Sequence, residues 1–185
     1  MSASGARQAA LSIRPMSLYE ASVPQLKNML TNLDKWLEKS VAFAKEKSFD
    51  PNVLATARLA PNQYPLIKQV QSACDSAKFC AARLTAKEPP KHPDTEQTMD
   101  ELRARIKACV SFLDTVTAAD FKGAETRVVG LPFMPGKGLL AGDYLNTMAL
   151  PNFYFHITHA YAILRHNGVD VGKIDYIGAL NLRDL

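Results

Sequence analysis

Apolar residues return at i, i+3, i+4 and i+7 along four long stretches of this chain, and proline-rich connections separate them. That period is the mark of helices with one apolar face, each of which must be buried against another. In the first stretch, residues 18–47, Leu26, Met29, Leu30, Leu33, Trp36, Leu37 and Ala44 make one stripe. Pro24 is tolerable there only near the helix start. Asp50-Pro51 ends the stretch. A connection containing Pro61 and Pro65 leads to the second stretch, residues 66–84, where Leu66, Val70, Ala73, Ala77, Ala81 and Leu84 share a face. The alanines let a neighbouring helix approach closely or leave room for something else. Gln69 flanks this face, while Gln71 and Asp75 count onto the outer side.

The third stretch, residues 95–117, follows the loop KEPPKHPD and carries Met99, Leu102, Ile106, Cys109, Val110 and Leu113 as its stripe. Thr98 and Glu101 have capping-box spacing, with Asp94 as an alternative cap. The fourth, residues 143–167, ends at Gly168 as a C-terminal cap, and Pro151 is expected to kink or restart it. Between residues 125 and 142 the helical pattern lapses. A short strand near 126–133, a Pro-Gly turn and Leu139-Leu140 read as a small hairpin before the last long helix. Its GKG lacks P-loop spacing. The tail, 169–185, is expected to be irregular and packed across the helices. The fold class is all-α, a four-helix bundle with a short β-hairpin. One domain is expected over 16–185, with an N-terminal extension over 1–15.

Composition removes several functions. Lys+Arg is 22 against Asp+Glu 18, a net +4. The charges are scattered, so no basic stripe with interleaved aromatics points to nucleic acid. No apolar run approaches the roughly 18 residues that a membrane span needs. The three cysteines, Cys74, Cys80 and Cys109, are odd in number and lack CxxC spacing, which argues against a disulfide framework or zinc knuckle. Small buried thiols in a reducing, cytoplasmic compartment are expected. Residues 1–16 contain Arg7 and Arg14 with no acid before Glu20, but no apolar core, so they do not read as a secretory signal. A mitochondrial presequence is the minor alternative.

On a wheel of the fourth helix, Leu145, Ala149, Phe153, Ala160, Ile163 and Leu164 cover one arc, at about 100° per residue. His156 falls inside that arc, and Asn152 and His159 lie on its edge. Tyr154, Thr158 and Arg165 point the other way. An imidazole facing a helical core must be hydrogen-bonded, and burial lowers its pKa. Gln69 is a candidate partner. His156 is therefore the candidate catalytic residue, a base or polar anchor, with Asn152, Gln69 and His159 as ligand-binding candidates. Tyr64 and Arg58 stand just before the second helix, at the expected rim. No carboxylate has ligand spacing within the stripe, so no metal site or cofactor is expected, with a bound divalent metal as the minor alternative. A small molecule is the expected partner. The alternative is a non-catalytic interaction protein with His156 as a satisfied core residue.

Three segments, MSLYEASVPQL (16–26), RLAPNQYPLIKQVQSACDSAKFCAARL (58–84) and LPNFYFHITHAYAILRHNGVDVGKIDYIG (150–178), resemble the DinB-like superfamily. The specific resemblance is to the subfamily catalogued as domain of unknown function nineteen-ninety-three, and it covers residues 16–178. It implies a bundle of the DinB/YfiT kind, often a homodimer. Superfamily members commonly hold a divalent metal with three histidines, one on the second helix and an H-x-x-x-H pair on the last. Some are thiol-dependent transferases or isomerases. Under this resemblance His156 matches the second histidine of the pair, and Asn152 stands where the first would be. The second-helix histidine has no counterpart, with Gln69 the nearest polar residue. The resemblance thus implies an inward-facing His156 in a site departing from the metal pattern at two of three positions.

Overall fold

The computed structural model describes residues 15–184. The expected N-terminal extension lies almost wholly outside them. Four long helices pack as a ring. Helix α1, Val23–Glu46, lies against α3, Met99–Asp114, and against α5, Leu150–His166; α2, Leu66–Thr85, closes the ring between α3 and α5. The predicted stripes line the centre: Leu26, Leu30, Leu33 and Leu37 of α1, Leu66, Val70 and Leu84 of α2, Leu102 and Ile106 of α3, and Phe153, Ile163 and Leu164 of α5 are fully buried. Most of the bundle's stability comes from this burial rather than from helix propensity. The alanines of α2 (Ala73, Ala77, Ala81) are fully buried, and α2–α5 is the most extensive helix pairing.

Local chemistry sets the helix ends. Pro24 occupies the first turn of α1, where its missing N–H costs no bond. Thr98 accepts from the Glu101 N–H, and the Glu101 carboxylate accepts from the Thr98 N–H, so the capping box opens α3. The last turn of α2 closes on Ala86 at φ +65°, in the left-handed region. An alanine there pays a steric cost that glycine avoids. Ala86→Gly is expected to stabilise the protein by about 0.5–1 kcal/mol, measured as a higher urea midpoint at unchanged m-value.

The hairpin forms from β1, Val128–Gly130, and β2, Gly138–Leu140, antiparallel with Val129 opposite Leu139. It delivers the chain into a one-turn helix α4, Ala141–Asp143, a π-helical turn Tyr144–Ala149, and then α5. The expected kink at Pro151 takes this form. Proline offers no N–H and crowds the carbonyl four residues back. The register widens one step before it, with the Leu150 N–H donating to the Leu145 carbonyl five residues behind.

The tail departs from the expectation of irregularity. Residues Lys173–Ile177 form a short helix, α6, strapped onto α1. The Asn32 amide donates to the Tyr176 and Ile177 carbonyls, and the Trp36 indole donates to the Asp175 carbonyl. The Trp36 ring stacks on Tyr176. A Cβ at Gly178 would run into the Asn32 amide.

The outer side of α2 is the larger correction. Gln71 is buried, and Asp75 sits in a charged cluster rather than in open solvent. The loop 86–98 folds back over this face, and Arg105 of α3 reaches across it. The Arg105 side chain is 1% exposed and contacts Asp75 at 2.6 Å, Asp94 at 2.7 Å and Glu96 at 3.0 Å. Lys78, also buried, contacts Asp75 at 2.7 Å and donates to Nδ1 of His92 at 3.0 Å. Lys68 completes the cluster by pairing with Asp94 at 2.6 Å. All three cysteines are buried, as their apolar neighbours suggested.

Candidate functional site

A cleft of about 290 Å³ lies between α2 and the last helix, and polar pairs cross it. At one end Arg83 donates to the Tyr144 hydroxyl at 3.1 Å. In the middle the Asn152 amide donates to Ser76 Oγ at 2.7 Å. At the other end the Gln69 amide meets His156 at 2.8 Å. On α2 these rungs stand at 69, 76 and 83, seven residues apart and so about 20° short of whole turns. On the facing helix Tyr144 and Asn152 are eight apart, which an unbroken α-helix would rotate by about 80°. The extra residue of the π-helical turn absorbs that rotation and keeps Tyr144 on the face that Asn152 occupies. Pro151 thus shapes the cleft without lining it.

The Gln69–His156 contact fixes the protonation of the ring. The Gln69 side-chain nitrogen donates to the Tyr64 carbonyl at 3.3 Å, which turns its oxygen toward Nδ1 of His156. An amide oxygen only accepts, so Nδ1 carries the proton and Nε2 keeps its lone pair. Among the described residues no hydrogen bond engages Nε2, and His156 lines the cleft. Burial, with a smaller contribution from the nearby His159, pushes the His156 pKa down to about 4, so the ring is neutral at neutral pH. His156 is 9% exposed, with Tyr64 parallel to it at 6.5 Å and Phe155 edge-on at 5.3 Å.

Four of the predicted site residues are brought together: His156, Gln69, Asn152 and Tyr64. Gln69 joins the site through His156 rather than by lining the cleft, and the other two are not brought there. Arg58 is exposed and donates to the Pro61 carbonyl of its own loop. His159 donates from Nδ1 to the Phe155 carbonyl one turn back and packs on the Phe155 ring, so its donor is spent within the helix. Ser72, Asp75, Ser76, Phe79, Arg83 and Tyr144 also line the cleft and were not singled out from the sequence. For Gln69, Ser76 and Arg83 the signal was available, a polar heptad on a helix otherwise rich in alanine. For Tyr144 no signal existed without the π-helical turn.

The three-histidine metal pattern does not fit these residues. Gln69 spends its oxygen on His156, Asn152 gives its amide nitrogen to Ser76 and offers only a neutral oxygen where an imidazole is wanted, and one imidazole nitrogen remains. Among the described residues no cluster of three or more His, Cys, Asp or Glu is arranged to hold a metal ion. Among the described residues no helix is long and apolar enough to cross a membrane.

Comparison with known proteins agrees with this architecture. A family model described as "Domain of unknown function (DUF1993)" matches residues 18–177. The chain is also similar to a crystal structure of a DinB family member protein from Shewanella denitrificans. The two are 46% identical and superpose with a TM-score of 0.87, over 91% of this chain and 96% of the other. No curated protein matches the chain.

Proposed function

The chain belongs to the family described as domain of unknown function DUF1993, and from that premise we propose that it binds a small molecule in the α2–α5 cleft. His156 is the polar anchor, and no three-histidine metal site is involved. The observation that supports this most is the pinned ring: Gln69 and the Tyr64 carbonyl hold it as the Nδ1–H tautomer, leaving Nε2 as an acceptor in the cleft. A ring at pKa about 4 receives a ligand O–H or N–H before it takes a proton outright. An anionic group placed beside it would raise that value toward neutrality, and the same nitrogen would then serve as a general base. The structural cost also fits: a histidine held neutral by burial is a costly way to fill a core, whereas a small cleft with few aimed polar groups is the usual form of a ligand site.

Long-range proton–nitrogen NMR at neutral pH is expected to report His156 as the Nδ1–H tautomer. Native mass spectrometry or a fragment screen identifies cleft ligands, and each is expected to move the Nε2 signal. His156→Ala is expected to weaken such ligands by about tenfold, the loss of one hydrogen bond in a desolvated site. The opposite tautomer, or a His156→Ala protein that binds equally well, would overturn the reading.

A further inference from the structure

The chemistry of the ligand is written at the other end of the same cleft. Resting on the reading above, we infer that the site takes a small organic oxyanion, a carboxylate or phosphate gripped by Arg83 and Tyr144. Arg83 is half-buried in the cleft wall, and among the described residues no carboxylate pairs with it. A partly desolvated guanidinium without a counter-charge is an unusual thing to build into a cleft. Its position is fixed: the Phe79 ring lies 5.3 Å away, the Tyr144 ring 5.8 Å away, and one Nη donates to the Tyr144 hydroxyl. That leaves the Nε–Nη2 edge, a planar two-donor fork that matches an oxyanion. The Tyr144 oxygen accepts from Arg83, so its own proton is left to donate to the same ligand.

Charge accounting removes the competing explanation. Among the described residues the one acid in the cleft wall is Asp75, which already faces both Lys78 and Arg105. In that cluster Lys68, Lys78 and Arg105 offset Asp75, Asp94 and Glu96, three charges against three. The uncompensated charge of the cleft is therefore that of Arg83. The ligand carries its anion at the Arg83 end and a donor toward Nε2 of His156, and its body lies along Phe79 and past the Ser76–Asn152 rung.

The test uses matched aromatic probes on the full chain, each with a ring hydroxyl to donate toward His156: 4-hydroxyphenylacetate, 4-hydroxyphenyl phosphate, neutral 4-hydroxyphenylacetamide and cationic tyramine, titrated at millimolar concentration. The readout is the His156 ring signals together with the binding constant. The expected result is that one or both anions bind, that the amide binds at least tenfold more weakly, and that the amine does not bind. Which anion binds more tightly distinguishes carboxylate from phosphate. Arg83→Gln is expected to weaken the anion by about ten- to a hundredfold and leave the amide unchanged. Tyr144→Phe keeps the ring and guards against a folding artefact; it is expected to weaken the anion severalfold with the His156 tautomer unaltered. Probes that move His156 with no preference for negative charge would overturn the oxyanion assignment and spare the binding site. An Arg83→Gln protein that binds the anion normally would do the same. Four probes that all leave His156 unmoved would overturn both.

Discussion

Arg105→Met is expected to lower the stability of the bundle by about 3–5 kcal/mol, the range for removing one partner from a buried ion cluster. The side chain is 1% exposed and holds three carboxylates with one guanidinium. Methionine keeps much of the volume, so the loss measures charge rather than cavity. Asp75 retains Lys78 and Asp94 retains Lys68, but Glu96 keeps the Gln71 amide and a backbone N–H and, among the described residues, loses its cation. Glu96→Gln in the Arg105→Met background is therefore expected to recover part of the loss, and chemical denaturation of the four proteins closes the double-mutant cycle. A loss below about 1 kcal/mol, the value of an exposed pair, would show that the cluster is solvated. The cluster also has a sign in pH. Burial pushes the Asp94 and Glu96 carboxyls up, but the bonds they accept outweigh it and hold both below the usual range. Groups with depressed folded values add stability above about pH 4 and lose it as pH falls through the folded value.

The second large effect lies in a different pH window. Stability is expected to drop by roughly 2–3 kcal/mol between about pH 6.5 and pH 4, because His156 protonates freely in the unfolded chain and not in the folded one. Burial holds its folded value at about 4. Between the two values the unfolded state binds the extra proton, so stability rises with pH across that interval. His92 contributes in the same direction, lowered by burial and then by Lys78 and Arg105. The two are separated by variants: His156→Gln should flatten most of the slope, and His92→Gln a smaller part. Site-resolved NMR titration checks the assignment directly. A His156 that titrates near its ordinary value would mean that water reaches the ring, and the slope would vanish with it.

The fold was legible because helical periodicity is a local property. The stripes of α1, α3 and α5 are spelled out within each segment, as is the Thr98–Glu101 cap. His156 was legible for the same reason, since its place on the wheel depends only on neighbours within two turns of α5. Gln69 was legible as a polar residue beside a small face. The errors arose where a second segment decides. Asp75 and Gln71 count outward on a bare helix, yet α3 and the loop 86–98 cover that side, so they became the floor of an ion cluster. Arg58 stands six residues before Tyr64 along the chain, but its guanidinium bonds the Pro61 carbonyl of its own loop.

By itself, the sequence determined four amphipathic helices, a hairpin, and one imidazole aimed at the core, because spacing along a single helix fixes which residues share a face. Only the tertiary structure decided which nitrogen of that imidazole is free, that Arg83 stands without a counter-charge among the described residues, and that Tyr144 joins it. Those facts depend on a π-helical turn and on the pairing of α2 with the last helix. Register between helices is set by packing across the bundle, and no residue encodes it alone.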